Sequence, residues 1–95
     1  MNKQKFITKG VESNVVLLLQ LFIWQCVEEM PKPRDYLQVF RFTLEGDFQK
    51  ITHTQEVPEF SREYLLRLTD TPFFVGKIFV NEEDDHTTML LAEEY

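Results

Sequence analysis

The stretch from Asn14 to Met30 is more apolar than a helix with one wet side requires, and that surplus constrains the fold more than any other feature of the chain. Projected at about 100° per residue, Val15, Leu19, Phe22, Ile23, Cys26, Val27 and Met30 fall on one broad face, with Val16 and Leu18 at its edges. That is a core-facing stripe. Gln20, Gln25, Glu28 and Glu29 should then mark the solvated side, yet Leu17, Leu21 and Trp24 stand among them at i, i+4 and i+7. A second stripe of this size exposes on the order of a few hundred Å² of apolar area, the range in which patches on monomers carry meaning. Either the helix is sandwiched, with sheet on one side and a loop or chain end on the other, or Leu17, Leu21 and Trp24 form a partner-binding or self-association surface. Trp is among the residue types most often found as binding anchors.

With 95 residues, the chain is expected to form one globular domain over residues 1–95. Nine Phe among 43% hydrophobic residues supply the large side chains a small core needs. The single Cys26 gives no disulfide framework. No basic segment leads into an apolar one at the N-terminus, and no apolar run is long enough to span a bilayer. A cytoplasmic protein away from membranes is the expectation. The charge is unevenly placed. Residues 1–50 hold seven Lys or Arg and six Asp or Glu, whereas residues 51–95 hold three and ten. An acidic C-terminal half repels phosphate backbones, and Lys3, Lys5 and Lys9 are too few to argue for nucleic acid elsewhere. Acidity favours solubility and basic partners.

Lys5 to Thr8 reads as a short strand, broken by Gly10; Ser13 or Asn14 can cap the helix, with Glu12 at the positive end of its dipole. The helix should end at Met30, because Pro31 disfavours the α conformation before it. Pro31 to Arg34 is a stiff linker. From Tyr36 the period becomes two: Tyr36, Gln38, Phe40, Phe42 and Leu44 on one face, Leu37, Val39, Arg41 and Thr43 on the other. Glu45-Gly46-Asp47 signals a hairpin turn, and Gln49 to Val57 reads as its second strand, ended by Pro58. Residues 61–68 fit a short helix or a strand, and extended neighbours favour the strand. Phe73 to Val80 is rich in aromatic and β-branched residues, with Gly76 marking a bulge or a close backbone approach; Thr87 to Ala92 is a last strand. The expected architecture is α+β: an antiparallel sheet of five or six strands with one long amphipathic helix packed on one face.

Few residues suggest chemistry. Glu82 to Asp85 with His86 could offer oxygens and an imidazole to a cation, but adjacent residues point in different directions and no calcium-loop spacing is present; a solvated loop and no metal are expected. Cys26 lies mid-helix on the apolar face, far from any activating charge, and reads as an inert buried thiol. Ser13 and Ser61 sit in no nucleophile context, and three scattered glycines make no phosphate-cradling loop, so no catalytic residue and no cofactor are assigned. His53 and Gln55 share a strand face and, with His86 or Tyr36, could line a polar pocket on the open face of the sheet.

Five segments together resemble a known family. They are Leu19 to Phe22 with Trp24-Gln25, Asp35 to Phe40, Ile51 to Pro58, Glu63 to Leu65, and His86 to Tyr95. In this order and spacing they are similar to a domain of unknown function found in short proteins of staphylococcal, streptococcal and enterococcal bacteria, sometimes in mobile elements. The resemblance spans nearly the whole chain. It implies a bacterial, cytoplasmic, single-domain protein and carries no activity or site residues with it. Its segments include the polar residues Gln20, Gln38, His53, Gln55 and His86.

Three functional readings follow. The leading one is a non-enzymatic interaction module that binds a protein partner, or a second copy of itself as a homodimer, through Leu17, Leu21 and Trp24. The alternative is a small enzyme or ligand binder with its pocket around His53, Gln55 and His86. An acidic mimic of nucleic acid ranks last, since the acidic half would need its charges at phosphate-like spacing.

Overall fold

A computed structural model describes residues 3–95. Its chain order is β1 (Gln4–Ile7), α1 (Lys9–Asn14), α2 (Leu17–Glu28), β2 (Leu37–Glu45), β3 (Phe48–Gln55), β4 (Phe60–Leu66), β5 (Gly76–Glu82) and β6 (His86–Leu91), with a closing 3₁₀ turn at Ala92–Glu94. The strands form one six-stranded sheet in the order β1-β6-β5-β2-β3-β4.

The fold is mixed α+β, but two expectations about it need correction. The helix is not one rod. Thr8 caps α1 by accepting the Val11 N–H, so the helix starts before Gly10 rather than after it. Val15 and Val16 then turn extended, with ψ of 116° and 154°, before α2 begins. Two consecutive β-branched residues give up little by leaving the helix, and Val15 still delivers its side chain to the core. The sheet, moreover, is not wholly antiparallel. β1 runs parallel to β6, pairing Lys5 with Thr87 and Ile7 with Met89; every other pairing is antiparallel. Of the segment 61–68, residues 61–66 are extended as part of β4, which pairs along its length with β3.

The hairpin turns at Gly46, whose φ of +59° suits a residue without a Cβ. β5 starts at Gly76, three residues later than its composition suggested. There a Cβ would meet the Phe74 ring at 3.0 Å, and φ is +152°, so the glycine marks a close approach. Gln49 holds that approach in place. Its amide accepts the Phe74 N–H at 2.8 Å and donates to the Phe74 and Thr43 carbonyls at 2.9 Å.

Alternation places Phe40, Phe42, Ile51, Ile78, Val80, Met89 and Leu91 on the face that α2 covers. Leu19, Ile23, Cys26 and Val27 descend onto them and, with Val11 and Val15, complete a single core. One helix about 10 Å across lies over six strands whose outer axes are about 24 Å apart at ~4.8 Å spacing. α2 therefore covers the middle of the sheet and leaves a margin on each side. What fills those margins decides the character of the surface.

Candidate functional site

The three residues of the expected partner-binding stripe do not share one environment. Leu17 and Leu21 are 66% and 56% exposed, and Leu18, assigned to the edge of the core face, joins them at 54%. Trp24 is half-buried and packs against the core. Gln20, expected on the wet side, is 8% exposed. The break at Val15 explains this inversion. Leaving the helix frees the Val15 carbonyl, and the Gln20 amide turns inward to donate to it at 2.7 Å; a buried carbonyl without a partner would be costly. The polar side chain goes in and three leucines stay out. Beyond Trp24 the outer face turns polar, with Gln25, Glu28 and Glu29.

Two aromatic side chains on α2 reach sideways over the margins. Phe22 packs edge-to-face on Tyr64 of β4, ring centres 5.1 Å apart. Trp24 leans toward β1, where the Lys5 ammonium lies 5.9 Å from its ring centre.

Under Phe22 the margin is sealed. His53 is 1% exposed, stacked on Phe40 at 4.1 Å and met edge-on by Phe60. Its position follows from register, since His53 pairs with Phe40 on β2 and with Arg62 on β4. The neighbouring amides form a chain with only one consistent assignment. Gln55 donates to the Pro58 carbonyl, so its Oε1 accepts from Gln38 at 2.6 Å and from the Asp35 N–H. The Gln38 Nε2 also donates to the Asp35 carbonyl, which leaves Oε1 to accept from His53 Nε2 at 2.7 Å. The imidazole therefore carries its proton on Nε2. Its buried Nδ1 has no hydrogen-bond partner among the described residues. Burial, with Arg62 nearby, pushes the His53 pKa down to about 4. Cys26 is buried close by, and burial raises its pKa although Tyr64 hydrogen-bonds to it and favours the thiolate. The buried imidazole is neutral at pH 7, the sign of a supporting network rather than of acid–base chemistry.

On the opposite flank a cavity of about 440 Å³ opens between α2, β1 and the linker after α2. Lys3, Lys5, Lys32 and Arg34 line it, with Glu28, Glu82, Trp24, Val27 and Thr87. Arg34 is fixed there by two duties: it donates to the Val27 carbonyl at the end of α2 and pairs with Glu82 at 3.0 Å. Lys3 reaches the same carboxylate at 2.8 Å. Burial alone would push the Glu82 carboxyl up, but the hydrogen bonds from Lys3 and Arg34 outweigh it and hold the pKa below the usual value. Lys5 pairs with Glu28 at 2.7 Å.

His53, Gln55 and His86 are not brought together. His53 and Gln55 point to the helix-covered face, three strands away from β6. His86 lies on the far face against Phe6, ring centres 5.7 Å apart, and binds Asp85 at 2.7 Å. Gln55 and Tyr36 do line a second cavity of about 380 Å³ with Asp35, Thr54 and Tyr95. Three members of the acidic run have partners: Glu82 meets Lys3 and Arg34 from distant parts of the chain, and Glu83 and Asp85 lie beside His86. No helix among the described residues is long and apolar enough to cross a membrane.

The cationic cleft is the feature the sequence did not announce. Its lysines and arginine come from two separated stretches, and only the parallel pairing of β1 with β6 brings them together. The usable signal was Lys3 and Lys5 two residues apart at the start of β1, with Lys32 and Arg34 just after the helix that returns beside it.

The chain belongs to the family described as staphylococcal protein of unknown function (DUF960), whose model matches residues 4–94. The membership expected from the five segments is thus shown. A crystal structure of a protein of unknown function from Enterococcus faecalis is similar, with a TM-score of 0.84 and 20% identity, over 98% of this chain and 91% of that one. At that identity the likeness concerns the fold. No curated protein matches.

Proposed function

We propose that the protein is a non-enzymatic interaction module that docks another protein on the outer face of α2. The observation that carries this is the inverted polarity of the helix: Leu17, Leu18 and Leu21 face outward while Gln20 is buried. A helix apolar on nearly every side belongs under cover, and within the chain only the inner face and the flanks of α2 are covered. Trp24 belongs to the flank rather than to the docking face.

The occupant is a short segment of another protein with apolar side chains flanked by basic ones. A net charge of −6 and the run of Glu28 and Glu29 at the end of the same face favour positive flanks. The three leucines present a few hundred Å², well short of the ~800 Å² per partner of a standard interface. That area suits a segment better than a second copy of a chain this acidic. The setting we propose is the cytoplasm, where a lone Cys26 stays reduced.

A photo-crosslinking residue at position 18 tests the reading in the native host. The expected result is one recurring crosslinked peptide, apolar with flanking Lys or Arg. As a synthetic peptide it should bind the purified protein at least ten-fold more tightly than the Leu17→Ser, Leu21→Ser variant. Equal binding to both, or no recurring peptide, overturns the proposal. A doubled solution mass that the variant loses also overturns it, by making a second copy the occupant.

A further inference from the structure

We infer that the cleft between α2 and β1 is a binding site for a small phosphate-bearing molecule with a flat organic part. This site adjoins the outer face of α2 at Glu28, but it rests on other residues and is tested independently of that face. The cavity of about 440 Å³ is within the ~300–1,000 Å³ typical of small-molecule sites. Its charge runs against that of the molecule. Four cations and two carboxylates line it, an excess of two positive charges on a chain of net charge −6. Cations gathered in a concavity focus a field that draws anions in.

The pairing inside the cleft shows which groups remain available. The single charge of Glu82 is shared between Lys3 and Arg34, at 2.8 and 3.0 Å. Lys5 is balanced by Glu28, in a pair open to solvent. Lys32 has no carboxylate within 4.0 Å among the described residues. All three nitrogens of the Arg34 guanidinium are already engaged, on Glu82 and on the Val27 carbonyl. Its Nε and Nη2 edge is committed to Glu82, and two of its five N–H donors remain for an anion. The ammonium groups of Lys32 and Lys5, mobile point charges with three donors each, suit the rounded oxygen cluster of a phosphate. Trp24 supplies a flat wall beside Lys5, which a bare inorganic ion would leave unused.

Trp24 is the only tryptophan of the chain and lines the cleft, so the emission has a single source at the site. The full chain would be titrated with AMP, pyrophosphate and citrate at constant ionic strength. The expected result is a saturable change with AMP binding most tightly, pyrophosphate next and citrate weakest. Lys32→Ala and Lys5→Ala should each weaken AMP about ten-fold, the effect of one charge-assisted hydrogen bond, with an unchanged thermal midpoint. Leu21→Ser should bind as wild type does. No saturation with any probe, citrate matching AMP, or AMP affinity unmoved by both lysine substitutions overturns the inference. Failure here with peptide binding intact would leave the docking face standing, and the reverse holds too.

Discussion

The two margins beside α2 pose one packing problem and answer it in opposite ways. On the β4 side, Phe22 closes over Tyr64, and Gln38, Gln55 and His53 are buried in one hydrogen-bonded chain that leaves only His53 Nδ1 without a partner among the described residues. On the β1 side, Trp24 leans over a cleft whose walls are charged and wet. A polar side chain can be buried when its neighbours are amides with both a donor and an acceptor to offer, because each then completes the next. Ammonium and carboxylate groups on long stems cannot be buried so cheaply and keep their margin open. The sealed margin supports the fold; the open one is free to bind.

Substitutions separate the two. The largest effect is expected from the wall they share. Ile23→Ala, at a fully buried position, should cost about 2–5 kcal/mol in chemical denaturation and loosen both margins together. Next comes acid. The folded pKa of His53 is about 4 against an ordinary 6.5. Between these values the unfolded chain binds the extra proton, so stability is complete above pH 6.5 and falls as the pH drops toward 4. The loss totals about 3 kcal/mol, and His53→Leu should flatten that slope. Gln38→Ala leaves the His53 Nε2–H without its acceptor and should cost about 1–3 kcal/mol.

The open margin is expected to respond less. Glu82→Gln removes the anion shared by Lys3 and Arg34 and should cost about 1 kcal/mol at neutral pH, a charged pair discounted for its partial exposure. Because the Glu82 pKa is held down in the fold, its contribution is present above the ordinary carboxylate pKa and fades only as the pH falls through the lowered one. The acid transition of the open margin thus lies below that of the sealed one. Leu17→Ser with Leu21→Ser should shift stability by less than about 0.5 kcal/mol per site; a larger loss would place these leucines in the core.

How much of this could be read from residues alone depends on range in sequence. The strand pairing of β2 and β3 and the inward set Leu19, Ile23, Cys26 and Val27 follow from periods of two and 3.6, which are local. The break at Val15 was hidden because both valines continue the apolar pattern, and the burial of Gln20 is a consequence of that break. By sequence, His53 and Gln55 share one strand face and read onto the open side of the sheet. In the fold Thr52 and Thr54 take the open face, while His53 and Gln55 go under cover, because the partners that make their burial tolerable come from Asp35, Gln38 and Pro58. β1 joining β6 in parallel is a pairing between the two ends of the chain, and the cleft exists only through it. Nothing local encodes such a site.

Collisional quenching of Trp24 tests the contrast between the margins most directly. Iodide and caesium would be compared on the free protein at equal ionic strength. The expected result is that iodide quenches more strongly than caesium, although the chain as a whole is acidic, because the indole borders a cleft with excess positive charge. If neither ion quenches, the indole is sealed and the margins are alike. If caesium quenches more, Trp24 faces the acidic surface and the open basic cleft does not exist.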